Sequence, residues 1–474
     1  MDALFVRKVL PFRQVEKYSI LHLGARPVYL NESGTAIWDL IDGRSTARDI
    51  AKTLASRNDS PPVAIEKMSS KVESFLEELF LIGLLLKYED GMFKERPRPT
   101  LRVTENSASP PDSQNAKASQ EPFRPIQSEC VTAQVKKNGT SLSDQFDDLY
   151  WERFYIHKMH LELTYRCNFR CVHCYNPTHG GGSTEMTTSE WERVLEQLAG
   201  LGCYLLTFTG GEVFIRKDAI QILQAACDRG FTFRLNTNGS LIDEHMLKQL
   251  EPMRPFLQSV DISFYGADAE VHDALAKRTG SFFSTMRAVQ LLSEAKMNLV
   301  TKFVTMRDNF HGMDLFEENM LKLGVPHVVN TGSLIPRTNR DMSPLVQLTT
   351  DKQYNEMLVT HSNPKGGEDP GSCKPGHVRG AITPDGFVSP CEWLTDFKLG
   401  NLRDRSLAEI WYGSEFLSFR KIFEQESECS GCGLQPSCSR CPAHSYLETG
   451  SLLQCAPNER HFAELYQNFN AAKA

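Results

Sequence analysis

Between residues 159 and 334, strand-like runs take turns with helix-sized stretches, and this alternation limits the possible fold more than any other feature of the chain. The runs are MHLELTY (159–165), YLLTFT (204–209), FTFRLN (231–236), SVDISFY (259–265), NLVTKFV (298–304) and HVVNTGSL (327–334). Helical stretches fall near 188–200, 217–229, 243–250, 281–296 and 311–323. Strands joined through helices pair in parallel, because a parallel neighbour needs a crossover of that length. The six runs fall short of a closed eight-fold barrel, so an open α/β barrel, a partial (β/α)6 unit, is expected over 151–345. In barrels of this kind the chemistry gathers at the C-terminal strand ends, and each motif below follows one of these strands.

The flanking segments differ in kind. Residues 1–93 read as a small α/β unit. YSILHLG (18–24) and PVYLN (27–31) suit paired strands, with helices near 33–41 and from Thr46, and LLLKY (84–88) suits a closing strand. Between them Ile65, Met68, Val72, Phe75, Leu76 and Leu79 recur at helical spacing and form one apolar stripe, read as core. Residues 94–150 are rich in Pro, Ser, Asn and Gln without apolar periodicity, which predicts a flexible linker; Cys130 within it reads as a stray thiol. From 346 to 474 turns are frequent, helix-sized runs are few, and cysteines stand where an apolar core would be.

The 474 residues are 41% apolar and 23% charged, which suits several soluble domains, and a net charge of −7 offers no footprint for nucleic acid. The longest apolar run, 79–86, is far too short for a bilayer, and Arg7, Lys8 and Pro11 interrupt the start where a signal peptide would be unbroken. A cytoplasmic protein without membrane or nucleic-acid partners is expected. In that reducing setting 13 cysteines are not disulfide material. Residues 1–129 hold none, three fall within 167–174, and seven lie between 373 and 455, a clustering that points to metal or catalysis. Cys203 and Cys227 suit buried core positions.

YRCNFRCVHCY places Cys167, Cys171 and Cys174 directly after the first barrel strand. Three thiolates on one loop can hold three irons of a cubane and leave the fourth open, whereas clusters meant only for electron transfer usually carry four cysteines. A zinc site with His173 as fourth ligand is the alternative, although zinc pairs are normally separated by a longer gap. With Tyr175 behind it, the loop resembles that of the radical S-adenosylmethionine (SAM) superfamily over about residues 157–340. The resemblance implies a [4Fe–4S] cluster whose open iron binds SAM and whose electron releases a 5′-deoxyadenosyl radical. It also implies that Gly210, Gly211 and Glu212 of TGGE meet the SAM amino group. Asn236 and Asn238 of NTNG and Ser263 of DISFYG would hold its ribose or carboxylate. His272, Asp273 and GSFF (280–283) match the family as well, but capping and packing explain them at least as well.

Near the C-terminus, Cys373 is followed by twelve residues, Gly386, four residues and Cys391, then by Cys429-x2-Cys432-x5-Cys438-x2-Cys441 and finally Cys455. Two Cys-x2-Cys pairs suit zinc, but three cysteines would be left over. The pattern resembles the SPASM extension of radical SAM peptide-maturing enzymes, which implies two auxiliary [4Fe–4S] clusters and three clusters in all. Cys373, Cys391 and Cys441 would hold the first, and Cys429, Cys432, Cys438 and Cys455 the second. The last pair has two intervening residues where the common motif has three, and no further cysteine precedes Cys373 within 361–372. The first auxiliary cluster would then keep an open iron unless His361, Glu368 or Asp369 fills it. An open iron suits a substrate thiolate and hence a thioether product; a plain electron relay is the equal alternative.

LNESGTAIWDLIDG and FLEELFLIGLL, in a unit of strand pair and helices, resemble the winged-helix-like leader-recognition domain of ribosomal-peptide pathways, a family that includes the pyrroloquinoline-quinone peptide chaperone. That resemblance implies a leader peptide added as a strand to a sheet edge. The expectation is therefore a radical SAM enzyme that modifies a ribosomally made precursor peptide, with crosslinking favoured, served by a donor such as a flavodoxin or ferredoxin. Oxidation, epimerisation, maturation of a partner enzyme, or a non-catalytic iron–sulfur peptide chaperone are the alternatives.

Overall fold

A computed structural model describes residues 3–8, 10–16, 18–23, 26–57, 63–82, 84–89, 92–94, 149–176, 185–330, 353, 375–434, 437–438 and 441–473. Most of the expected linker, with Cys130, lies outside the described residues, as do Cys373, His361, Glu368 and Asp369. The chain divides into two compact units, 1–10 with 14–148, and 11–13 with 149–474.

In the N-terminal region β1 (Phe5–Arg7), β2 (Phe12–Val15), β3 (Tyr18–Leu23) and β4 (Arg26–Leu30) precede α1 (Glu32–Asp39), α2 (Ala47–Arg57) and α3 (Val63–Leu81), and β5 (Leu85–Glu89) and β6 (Met92–Lys94) follow. The Asn31 side chain accepts from Gly34 N at 2.8 Å and so starts α1 at an N-cap. On α3, Val72, Phe75, Leu76 and Leu79 are buried, so the C-terminal half of the stripe is core, while Ile65 and Met68 are half-buried. The expected closing strand β5 pairs antiparallel with β1 and β6 in a three-stranded sheet separate from that of β2, β3 and β4. β1, β2 and β6 are three or four residues long, too short to show a period of two.

In the second unit β7 (Lys158–Glu162), β8 (Leu205–Thr209), β9 (Thr232–Thr237), β10 (Leu257–Phe264), β11 (Leu299–Val304) and β12 (His327–Asn330) are parallel neighbours in sequence order. Between them run α4 (Thr188–Gly200), α5 (Ala219–Asp228), α6 (Glu244–Leu250), α7 (Ala269–Ala276), α8 (Ser281–Glu294) and α9 (Met313–Lys322). Thr187 and Glu190 form a capping box that fixes the start of α4. Its Trp191, Val194, Leu195 and Leu198 enter one core with Met159, Leu161, Phe208, Leu235, Ile262 and Phe303 from the sheet.

The C-terminal segment is more regular than its sequence promises. β13 (Arg379–Ile382) runs parallel to β7, and β14 (Phe387–Ser389) and β15 (Gly400–Asn401) follow antiparallel, so the sheet has nine strands among the described residues. Four helices complete it: α10 (Leu407–Trp411), α11 (Ser414–Lys421), α12 (Pro442–Thr449) and α13 (Pro457–Lys473). In α13 the residues Phe462, Leu465, Tyr466 and Phe469 pack on the barrel core at helical spacing inside an otherwise polar sequence. Among the described residues no helix is long and apolar enough to cross a membrane.

Trp411 joins the added segment to the barrel. Its ring is fully buried and its Nε1 donates to Phe154 O at 2.6 Å. Trp411→Ala is expected to cost about 3–5 kcal/mol and to lower the thermal midpoint, whereas Trp411→Phe, which keeps most of the buried area, should lose only about 1 kcal/mol. Thermal unfolding followed by circular dichroism checks both.

Candidate cluster and cofactor site

The three-cysteine loop leaves the C-terminal end of β7 and is fastened to the end of α7. Arg170 N donates to Ala276 O and Val172 N to Leu275 O, both at 3.0 Å. Phe169 is buried against Tyr265, Leu275, Ala276 and Met306, with Cys167 and Cys171 packed on the same group. Donors already face two of the sulfurs. Phe169 N lies 3.4 Å and Asn238 Nδ2 3.9 Å from Cys167 Sγ, and the Tyr265 hydroxyl donates to Cys171. Burial, reinforced by Glu212 and Cys174, pushes the Cys167 thiol up to about 11. Burial, with Cys174 and Cys167 adding to it, pushes Cys171 to about 12. Buried thiols crowded in this way, Cys167 and Cys171 beside Cys174, become thiolates together when a cation neutralises them, which is what bound iron does.

TGGE meets this loop at close range. Gly211 N donates to Thr164 O at 2.7 Å and Glu212 N to Arg166 O at 2.8 Å. Gly210 has φ +135°, and a Cβ on it would lie 2.3 Å from Thr164 O; one on Gly211 would lie 2.2 Å from Arg166 O. The close approach that the glycines permit is thus first to the chain's own backbone at the root of the cysteine loop. Glu212 is fully buried, and its carboxylate accepts from Thr237 Oγ1 (2.8 and 2.9 Å), Asn238 N (2.9 Å) and Phe214 N (3.1 Å). Burial raises its pKa against the pull of these bonds. Its side chain therefore ties the end of β8 to the end of β9.

The other expected residues spread around this knot. Asn238 Nδ2 donates to Asn168 Oδ1 at 2.9 Å, and its own Oδ1 accepts from Ser240 Oγ at 2.6 Å. Asn236 is half-buried on β9 opposite Asp261, and Ser263 stands on β10 opposite Lys302. Tyr175 packs against Trp393, 5.3 Å between ring centroids, and so reaches the segment carrying Cys391. His272 is fully buried, with Nδ1 3.0 Å from Ser281 Oγ, and burial pushes it down to about 4. Asp273 accepts from Gly280 N, Ser281 Oγ and Phe282 N, which fits capping and packing.

Strand register exposes a feature that the sequence reading passed over. His160, Thr207 and Arg234 lie abreast on one face, as do Glu162 with Thr209, Asn236 with Asp261, and Ser263 with Lys302. This is the face opposite the helix-packed core, and it is polar: Lys302 Nζ lies 2.6 Å and Ser259 Oγ 2.5 Å from the buried Asp261 carboxylate. Parallel strands covered on both faces read as continuous apolar runs. The alternation His160-Leu161-Glu162 was the available signal.

Several buried polar atoms lack a hydrogen-bond partner among the described residues: His173 Nδ1, the Asn176 side-chain amide, Thr207 Oγ1 and Asn236 Oδ1. All four belong to the cysteine loop or the polar face, and burial together with His272 pushes His173 down to about 4. Such atoms cost free energy unless a ligand meets them, so the residues present fit a polar cofactor bound there. In the C-terminal segment Cys391 and Cys441 share one apolar group with Leu394, Phe419, Ala443 and Leu452. Burial raises the Cys455 thiol, with Cys429, Cys438 and Cys432 adding to the rise, so these four lie within electrostatic reach. Six of the seven expected ligands, those among the described residues, thus fall into two groups, Cys391 with Cys441, and Cys429, Cys432, Cys438 with Cys455.

A methyl at Gly211 has to displace the backbone that carries the cysteine loop. Gly211→Ala is expected to lose the iron of one cluster after anaerobic reconstitution, measured against Gly200→Ala, where an added Cβ meets open space. Equal iron in the two variants would contradict this.

Comparison with known proteins agrees with this arrangement. Residues 161–317 match the radical SAM superfamily, 373–442 match the SPASM iron–sulfur cluster-binding domain, and 19–85 match coenzyme PQQ synthesis protein D (PqqD). The chain is 26% identical over 333 residues to the PqqA peptide cyclase of Granulibacter bethesdensis, covering 60% of this chain and 88% of that protein. It is 27% identical over 354 residues to the PqqA peptide cyclase of Rhodopseudomonas palustris, covering 65% and 93%. Streptococcus suis SuiB bound to its precursor peptide SuiA superposes with a TM-score of 0.54 at 12% identity, over 94% of this chain and 98% of SuiB. The AdoMet- and peptide-bound anSMEcpe superposes with a TM-score of 0.52 at 18% identity, over 66% and 96%. The chain carries a radical SAM domain, with a PqqD-type unit before it and a SPASM segment after it.

Proposed function

We propose that this protein binds a ribosomally made precursor peptide through its leader and crosslinks it by radical chemistry. One observation carries the reading: a three-thiol loop fastened beside a polar sheet face, on the same chain as a PqqD-type unit. The relatives named PqqA peptide cyclase and the fold shared with SuiB support it.

Cys167, Cys171 and Cys174 would hold a [4Fe–4S] cluster, and the backbone of Gly210, Gly211 and Glu212, with Tyr175, Asn236, Asn238 and Ser263, would hold SAM. When bound, that pair supplies a 5′-deoxyadenosyl radical that abstracts a hydrogen atom from the peptide. Glu212 and Asn238 keep the cysteine loop in register with the strand ends. His160, Glu162, Thr207, Asp261 and Lys302 offer polar contacts to a peptide lying across the sheet, and the enclosing barrel keeps water from the radical. Cys373, Cys391 and Cys441, and Cys429, Cys432, Cys438 and Cys455, would hold two auxiliary clusters, for three in all. The leader would add to a sheet edge in the N-terminal region while residues 94–150 act as tether, raising the local concentration of the core peptide. A flavodoxin or ferredoxin in the cytoplasm would supply electrons, and a reducing compartment suits so many thiols. The thioether form of the product depends on an open iron in the first auxiliary cluster, a condition on which His444 bears.

Incubating the reduced protein with SAM and its precursor peptide should yield 5′-deoxyadenosine and a peptide lighter by two hydrogens. A peptide without its leader should react far more slowly. No 5′-deoxyadenosine would point to a scaffold, and an unchanged peptide mass with 5′-deoxyadenosine formed would point to epimerisation.

A further inference from the structure

Two cubane clusters present eight iron corners, and residues 346–474 contain seven cysteines. We infer that His444, held by Glu459, is the eighth ligand and closes the first auxiliary cluster beside Cys391 and Cys441. The inference rests on the proposed pair of auxiliary clusters and adds a ligand that the cysteine motif does not contain.

Sequence spacing supplies the first argument. Cys441 is the N-cap of α12 and His444 stands three residues on, in its first turn. Residues three apart on a helix are neighbours, and Cys-x2-His has the spacing of the Cys-x2-Cys pairs that ligate cubanes. Position supplies the second. Trp393 N donates to Cys391 Sγ at 3.5 Å, and the Trp393 ring stands edge-on to the His444 ring with centroids 5.6 Å apart. Trp393 thus lies between His444 and Cys391, while Cys441, packed on the apolar group of Cys391, opens the helix that carries His444.

Hydrogen bonding supplies the third. His444 Nδ1 lies 2.6 Å from Glu459 Oε1, with the two side chains only 13% and 15% exposed. A carboxylate on one ring nitrogen fixes the tautomer and orientation of the imidazole, the usual support of a metal-binding histidine. Nε2, on the far side of the ring, makes no hydrogen bond among the described residues. Imidazole is a competent iron ligand and raises the potential of a cluster relative to thiolate. With His444 in place, the cluster has no vacant corner for a substrate thiol. A thioether made by docking that thiol on iron is then disfavoured, and the cluster serves as an electron acceptor.

The test uses the full chain with Cys167, Cys171 and Cys174 changed to Ala, so that only auxiliary clusters form. After anaerobic reconstitution and reduction without SAM, pulsed EPR should show strong nitrogen coupling to one cluster. His444→Ala and His444→Cys should both lose that coupling. His444→Cys should keep the iron content of the parent and move one cluster to lower potential, which separates loss of a ligand from loss of fold. Glu459→Gln should keep the coupling and alter its size. Absence of nitrogen coupling in the parent, or its survival in His444→Ala, overturns the inference while leaving the auxiliary clusters in place. A parent that binds no iron overturns the auxiliary clusters as well.

Discussion

The site depends on a backbone-to-backbone contact between two strand ends. Thr164 O and Arg166 O accept from Gly211 N and Glu212 N, at a separation that no side chain on Gly210 or Gly211 would allow. The Glu212 carboxylate then draws in Thr237 and the amide of Asn238, and Asn238 reaches back to Asn168 inside the cysteine loop. Three consecutive strands are laced around one loop by groups that are buried or partly buried. Each bond is worth about 1 kcal/mol net, yet leaving any of these buried groups unpaired costs about 1–3 kcal/mol, so the knot holds or fails as a whole. It fixes where the sulfurs stand before any iron arrives.

A second constraint joins the C-terminal segment to the barrel. β13 lies parallel to β7, the strand that leads into the cysteine loop, and Trp411, Phe416 and the apolar side of α13 enter the barrel core. Tyr175, next to the third cysteine of the loop, packs on Trp393, whose backbone N–H faces Cys391 Sγ. The cysteine loop and the first group of C-terminal cysteines therefore share one rigid frame. A radical enzyme that must return an electron after bond formation has reason to keep its electron-carrying centres at a fixed spacing, since transfer slows with distance.

Much of this was legible in the sequence. The strand–helix alternation placed β7 to β12, and the Cys-x3-Cys-x2-Cys run, TGGE and NTNG fell where the structure has the strand ends. What could not be read has physical causes. β13 is four residues long and gains its place from pairing with β7 rather than from its own pattern. The apolar positions of α13 are diluted by polar neighbours, so a helix was missed where turns were expected. The role of Glu212 as a buried tie comes from tertiary contact, and a Gly-Gly-Glu word cannot show which way its carboxylate points. For His444 the Cys-x2-His spacing alone says little; its partner Glu459 is fifteen residues away and meets it because α12 and α13 fold together.

The central claim is that Cys167, Cys171 and Cys174 hold iron with a corner that SAM occupies. EPR of the anaerobically purified, reduced protein, recorded before and after addition of SAM, tests it most directly. The signal of one cluster should shift on addition while those of the auxiliary clusters stay as they were. Spectra that superimpose, or protein carrying zinc in place of iron, would contradict the account.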